Sequence, residues 1–217
     1  CGPGPAFFDA DNGARQRCAD YLKGRLDFLA DAGGRTLITL VGGLGESQRV
    51  PPEEYPSLYA RAADSFREVA EHAAEAGMHI AIEIINRYES NMLTKTPQAL
   101  DFIDQLDSPV VGVLLDTFHM NIEEPNPAEA IRRAGARLIH LHCAENDRGI
   151  PGRGTVPWTD IGAALHEIQY RGPAVIEVMN YATPIGDAVK IWQPWEASPD
   201  DGAHAGLAFL KSTFSEC

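Results

Sequence analysis

The sequence has few cysteines and few basic residues, and each shortage argues against a class of protein. The four cysteines of its 217 residues have no disulfide-framework spacing, and scattered thiols in an acidic chain predict a reduced, cytoplasmic protein. With 18 Lys and Arg against 31 Asp and Glu, the formal net charge is −13. Phosphate binding needs a basic face, so we expect no nucleic-acid partner. The cysteines are Cys1, Cys18, Cys143 and Cys217.

Long apolar runs are missing as well. None approaches the roughly 20 residues that span a bilayer, and no basic-then-apolar segment resembles a signal peptide, so no membrane partner is predicted. No Gly-x-Gly-x-x-Gly follows a predicted strand, which leaves a dinucleotide site unsupported. The chain begins with Cys1 in place of Met. We therefore expect that the start of the natural protein is missing.

The sequence does contain a regular alternation of short apolar runs and helical periodicities. Strands separated by helices predict parallel pairing through right-handed crossovers, here within one domain over residues 1–217. An open doubly wound sheet would fit the same five strands and six helices. The predicted strands are Thr36–Val41, His79–Ile85, Val110–Leu115, Leu138–His142 and Ala174–Val178. The predicted helices are Ala14–Ala32, Pro52–Ala76, Gln98–Leu106, Pro127–Ala134, Trp158–Gln169 and Gly202–Phe214.

Each of the last four predicted strands carries an ionisable residue at or near its C-terminal end. Side chains alternate between the two faces of a strand, and in all four strands the ionisable residue lies opposite the apolar face. Parallel α/β folds build their sites at this end of the sheet. The residues are Glu83, Asp116, His142 and Glu177.

Four ionisable groups buried together need one another or a cation, since burying each alone costs several kcal/mol. Three carboxylates and one imidazole suit Mn²⁺, Mg²⁺ or Co²⁺ better than a structural zinc. One such residue by itself is usually a solvated rim group or an ion-pair partner. Four in the same phase on consecutive strands predict a metal site.

Residues 82–89 read IEIINRYE and residues 115–124 read LDTFHMNIEE. These two segments resemble the ketose 3-epimerases, the group of the D-tagatose and D-allulose (psicose) 3-epimerases. The similarity continues through residues 140–154 and reaches Glu177, covering about Ala14 to Leu210. This group lies within the xylose-isomerase-like superfamily of (β/α)8 TIM barrels.

The resemblance implies a fold and a set of site residues. The fold is a (β/α)8 TIM barrel that here lacks the first two strand–helix units and most of the third strand. One divalent ion is implied, most often Mn²⁺ with Co²⁺ or Mg²⁺ as options, and a dimer or tetramer is usual. The implied metal ligands are Glu83, Asp116, His142 and Glu177, with Glu83 and Glu177 also moving the proton. The residues implied to bind the sugar are Glu89, His119 and Arg148.

The function predicted on this basis is metal-dependent epimerisation of a free ketose at C3, through an enediolate. An aldose–ketose isomerase, including a hydroxypyruvate-type isomerase, would use the same groups. A barrel fragment with a merely structural metal is an alternative of another class. A metal-dependent endonuclease of related form is disfavoured, because such enzymes want more histidines and a basic face.

Overall fold

The computed structural model describes residues 6–42, 49–195 and 198–215, and Cys1 and Cys217 lie outside these ranges. The chain divides into two compact units, Cys1–Leu114 and Leu115–Cys217. The single domain expected over residues 1–217 stays a prediction. Among the described residues, no helix is both long and apolar enough to cross a membrane.

Five strands form among the described residues, and all five predicted strands are confirmed. Their order in the sheet follows the sequence, and the pairs β1–β2, β2–β3 and β4–β5 are parallel. A doubly wound sheet reverses its strand order at a switch point, and this sheet contains no reversal, so the barrel-type order is the correct one. The strands are β1 Thr36–Thr39, β2 His79–Glu83, β3 Val111–Asp116, β4 Leu138–Cys143 and β5 Ala174–Ile176.

Helices connect these strands. The six predicted helices are confirmed, five of them with shifted ends, and two short α-helices were not predicted, α4 after β3 and α7 after β5. Helices of seven and five residues are too short to display a hydrophobic period. Within the described ranges the helices are α1 Asn12–Asp31, α2 Tyr55–Glu75, α3 Thr96–Asp104, α4 Thr117–Glu123, α5 Pro127–Ala134, α6 Trp158–Glu167, α7 Pro184–Ala188 and α8 Pro199–Ser215.

The first unit is built on an aromatic core. Phe66 of α2 lies 5.0 Å from Phe7 and 6.1 Å from Phe102 of α3, measured between ring centroids. Edge-on aromatic pairs of this kind add stabilisation beyond their buried area. On the surface, Nζ of Lys23 in α1 lies 2.7 Å from a carboxylate oxygen of Glu68 in α2. The aromatic core therefore packs α2 against α3.

In the second unit, α6 packs against α5 and α8, and α8 also contacts β5. Trp158 at the start of α6 lies 5.8 Å from Phe209 of α8, edge to face. Gly152, in the loop after β4, has a φ of +91°, and a Cβ there would meet the Phe209 ring at 2.6 Å. Only glycine combines that backbone conformation with so close an approach. The loop after β4 is thus fixed against α8.

Candidate metal and sugar site

Three of the four predicted metal ligands lie together within the second unit. Asp116 ends β3, His142 lies in β4, and Glu177 follows β5 directly. Nδ1 of His142 lies 3.2 Å from Oε2 of Glu177 and 3.8 Å from Oδ2 of Asp116. The Asp116 side chain is fully buried, whereas that of Glu177 keeps 25% of its surface exposed. The cluster is therefore closed on the Asp116 side and accessible at Glu177.

Two of the predicted sugar-binding residues contact this cluster. Nη1 of Arg148 lies 2.5 Å from Oδ2 of Asp116 and 3.0 Å from Oε2 of Glu177. Nη2 of the same guanidinium is 3.2 Å from Nε2 of His119. The guanidinium also lies over the ring of Phe118, 4.4 Å from its centroid. The planar guanidinium group of Arg148 thus contacts two carboxylates and an imidazole.

The electrostatics of the cluster follow from burial. Burial raises the pKa of Asp116 to about 6, and the hydrogen bond with Glu177 acts in the same direction, while the charge of Arg148 opposes both. Burial alone would also raise the pKa of Glu177, but hydrogen bonds with His142 and Asp116 keep it below its usual value. Burial lowers the pKa of His119 to about 4, so its imidazole is neutral at pH 7.

Two predicted residues belong to the first unit. Glu83 is the last residue of β2, half-buried, and its Cα is in register with that of Leu114 in β3. Glu89 lies on the exposed turn that follows, where its carboxylate accepts a hydrogen bond of 2.8 Å from the Asn86 side chain. Asn86 is 1% exposed and also accepts from the backbone of Tyr88 through its side-chain oxygen. Asn86 therefore shapes the turn that carries Glu89.

Within the second unit, Asp116, His142 and Glu177 could together hold a metal ion, with one ligand atom from each lying within 4.8 Å of the others. This donor set fits a hard divalent cation, because two of its three members are carboxylates. Burial raises the pKa of Asp116 to about 6 even beside the Arg148 guanidinium, so a further positive charge at this place would favour its carboxylate form.

Two buried residues that organise the site were not singled out from the sequence. Thr117 Oγ1 donates to the carbonyl of Ala144 at 2.6 Å and accepts from its N–H at 2.9 Å, which ties the start of α4 to the end of β4. Glu145 is 1% exposed and accepts hydrogen bonds across the loop after β4. Their position was the available signal in the sequence, because Thr117 directly follows β3 and Glu145 lies two residues after the end of β4.

Sequential parallel strands with a carboxylate–imidazole cluster at their C-terminal ends define a (β/α)-barrel chain with a candidate metal centre. Residues 2–213 match the xylose isomerase-like TIM barrel family. The chain belongs to that family, which confirms the predicted fold class.

Named relatives lie within the epimerases. The chain is 44% identical over 162 residues to a D-psicose 3-epimerase of Enterocloster bolteae, covering 71% of this chain and 54% of that protein. It is 40% identical over 144 residues to a D-psicose 3-epimerase of Ruminiclostridium cellulolyticum, covering 66% and 49%. The chain thus spans about half the length of the curated relatives it matches.

Solved structures of 3-epimerases are similar to this chain along nearly its whole length. The D-psicose 3-epimerase of Clostridium cellulolyticum H10, determined with D-tagatose, superposes with a TM-score of 0.88 at 31% identity, over 98% of this chain and 76% of that one. A structure of L-ribulose 3-epimerase superposes with a TM-score of 0.90 at 29% identity, over 99% and 73%.

Proposed function

We propose that the protein to which this chain belongs is a metal-dependent ketose 3-epimerase that acts on a free sugar. The observation that carries the proposal is the cluster of Asp116, His142 and Glu177 beside Arg148 and His119. Two carboxylates and an imidazole beside a guanidinium support a centre that binds a cation and the oxygens of a sugar. The similarity to D-psicose 3-epimerases supports the reaction and the substrate class.

The metal would be held by Glu83, Asp116, His142 and Glu177, and we propose Mn²⁺, with Co²⁺ or Mg²⁺ as substitutes. When bound, a divalent ion supplies positive charge that stabilises the oxygens of an enediolate. The acidic donor set and the raised pKa of Asp116 support a hard cation at this place.

The chain's own residues would move the proton. A carboxylate of the pair Glu83 and Glu177 takes the proton from C3 of the ketose; the C3–H electron pair becomes the C2–C3 double bond of the enediolate as the carbonyl π pair moves onto O2. The other member of the pair, in its protonated form, gives a proton to the opposite face of C3 as the C2 carbonyl re-forms, which inverts C3. The partial exposure of Glu177 supports access to a bound sugar.

Arg148 and His119 would bind the carbonyl and hydroxyl oxygens near the reacting carbon, and Glu89 would accept from a sugar hydroxyl. His119 is neutral at pH 7, so it can donate or accept a hydrogen bond without adding charge. Arg148 is already paired with two carboxylates. It therefore has little charge left to neutralise a phosphate, which favours a free ketose.

The test is incubation of the chain with Mn²⁺ and D-fructose, D-tagatose or D-psicose in D₂O, with products separated by chromatography and analysed by NMR. We expect the C3 epimer carrying deuterium at C3. An aldose product would instead support the isomerase alternative. Thermal stabilisation by Mn²⁺ without exchange on any ketose would overturn the proposal in favour of a structural metal.

We also propose a cytoplasmic location and a homo-oligomer, a dimer or tetramer. Cys18 and Cys143, the two described cysteines, are buried and are not joined in a disulfide, which supports a reducing compartment. Trp192 and Ile185 are exposed by 66% and 52%, which supports a contact with another copy. Light scattering coupled to gel filtration measures the oligomeric state, and localisation of a tagged protein in its host tests the compartment.

A further inference from the structure

The side chain of Glu145 is buried, and its carboxylate accepts hydrogen bonds from the loop after β4 and from α6. Its Oε1 accepts from the backbone N–H of Gly152 at 2.7 Å and from Nε1 of Trp158 at 2.6 Å. Its Oε2 accepts from the backbone N–H of Val156 at 3.2 Å. One side chain thus binds two points of the loop and the first residue of α6.

The backbone of Glu145 holds Arg148 as well. Its carbonyl accepts from the N–H of Arg148 at 3.0 Å, and its N–H donates to the carbonyl of Gly149 at 2.9 Å. Arg148 has a φ of +69°, a left-handed conformation that costs free energy in a non-glycine residue. Such a turn persists only where its surroundings fix it. Glu145 joins the turn to the rest of the loop at residues 152 and 156, and Asn146 adds a link through its Oδ1, which accepts from the N–H of Thr155 at 2.8 Å.

We propose that Glu145 is a positioning residue that sets the guanidinium of Arg148 beside Asp116 and Glu177. Its carboxylate fixes the loop of residues 145–156 at Gly152 and Val156, and its backbone closes the turn at Arg148. The expected effect of Glu145 on ketose binding rests on the proposed function. Its expected effect on the rigidity of the loop of residues 145–156 is independent of that function.

Both oxygens of the side chain are needed, because each accepts from a buried N–H. Glutamine has the same size but offers one accepting oxygen, and its NH₂ group would face an N–H donor in either orientation. A buried donor left unsatisfied carries a substantial cost, so Glu145→Gln should loosen the loop without removing side-chain volume. Trp158→Phe removes one donor and keeps a ring beside Phe209, so its effect should be smaller.

The first experiment measures ketose KM, kcat and Mn²⁺ affinity for the wild type, Glu145→Gln, Arg148→Lys and the double variant. For Glu145→Gln we expect about a tenfold loss in kcat/KM, with Mn²⁺ affinity changed less than about threefold. If Glu145 acts through Arg148, the double variant is no worse than Arg148→Lys. Losses that multiply, or an equal loss of Mn²⁺ affinity, would overturn the proposal.

The second experiment needs no turnover. Trypsin digestion under native conditions, followed by mass spectrometry, reports cleavage after the buried Arg148, with cleavage after the exposed Arg35 as the internal reference for protease activity. We expect cleavage after Arg148 to accelerate at least about tenfold in Glu145→Gln and about threefold in Trp158→Phe, relative to Arg35. Unchanged relative cleavage would refute the positioning role.

The matched control is Glu167→Gln, the same chemical change on the exposed end of α6, where Glu167 pairs with Arg132. It should leave kinetics and cleavage after Arg148 unchanged. The kinetic experiment and the digestion experiment test the epimerase function and the positioning role of Glu145 separately. A wild-type chain without ketose exchange counts against the epimerase assignment, while the digestion still decides the role of Glu145.

Discussion

Nδ1 of His142 lies 3.2 Å from Oε2 of Glu177, so an imidazole of one strand and a carboxylate following the next can share a small cation. Mn²⁺ should therefore stabilise the chain. At about one hundred times its Kd, a ligand adds about 2.7 kcal/mol to the free energy of unfolding. That corresponds to a Tm increase of roughly 5–10 °C for a chain of this size. Differential scanning fluorimetry with and without EDTA measures it.

The matched variants for that measurement are two histidine substitutions. His142→Asn removes a proposed ligand and should abolish most of the Mn²⁺-dependent shift. His72→Asn changes a histidine on the α2 surface that pairs with Asp27 at 2.7 Å, so it should keep the full shift. Equal shifts in both variants would show that Mn²⁺ binds elsewhere.

Glu177→Gln should reduce turnover of a ketose by at least about a thousandfold, because an amide cannot take or return the C3 proton. Its volume is unchanged, so the fold should persist, and circular dichroism checks this. The measurement is deuterium incorporation at C3 in D₂O. Substantial retained exchange would remove Glu177 from the proton-transfer pair, and Glu167→Gln serves as the control of the same chemistry.

Binding of Mn²⁺ should strengthen as the pH rises, because burial raises the pKa of Asp116 to about 6 and a protonated carboxyl is a poor ligand. Calorimetry in buffers of different ionisation enthalpy should detect about one proton released per Mn²⁺ at pH 5, and fewer at pH 7.5. Proton release that is flat across this range would contradict the assignment of Asp116.

The Asp116 carboxyl should also make the free energy of unfolding of the metal-free chain depend on pH. Its pKa is raised on folding, so the folded state holds this proton more tightly than the unfolded state. The stability that Asp116 contributes is then fully present below about pH 4 and is lost as the pH rises through about 6. Urea titrations from pH 4 to 7, comparing the wild type with Asp116→Asn, measure this contribution.

Thr117→Val should destabilise the chain by about 1–3 kcal/mol, because the buried N–H and carbonyl of Ala144 both lose their partner. The expected Tm decrease is roughly 2–10 °C. Thr117→Ser keeps the hydroxyl and should lose much less. A serine variant as unstable as the valine variant would assign the effect to the lost methyl group.

Much of the fold was predictable, because hydrophobic periodicity reports burial directly. The strand Leu138–Cys143 alternates apolar and polar residues, and the long helix α2 buries one stripe that includes Phe66 and Val69. The short helix α4 was missed because its seven residues begin at an Asp116 cap. Oδ1 of Asp116 accepts from the N–H of Phe118, so this residue caps the helix as well as being a candidate metal ligand.

Glu145 shows why the rest of the site was not predictable. In the sequence it is one acidic residue in the run Glu145-Asn146-Asp147, where a solvated loop is the ordinary interpretation. Its three donors come from residues 152, 156 and 158, and no periodicity relates those positions. Only the folded loop brings them to one carboxylate.

The sequence by itself determined the alternation of strands and helices and the face on which each candidate ligand lies. Those properties follow from two fixed periods, 2.0 residues along a strand and 3.6 along a helix. The tertiary structure decided the distances between Asp116, His142 and Glu177, and the insertion of Arg148 among them. Such distances depend on strand pairing and loop closure between residues far apart in the chain, which no local pattern specifies.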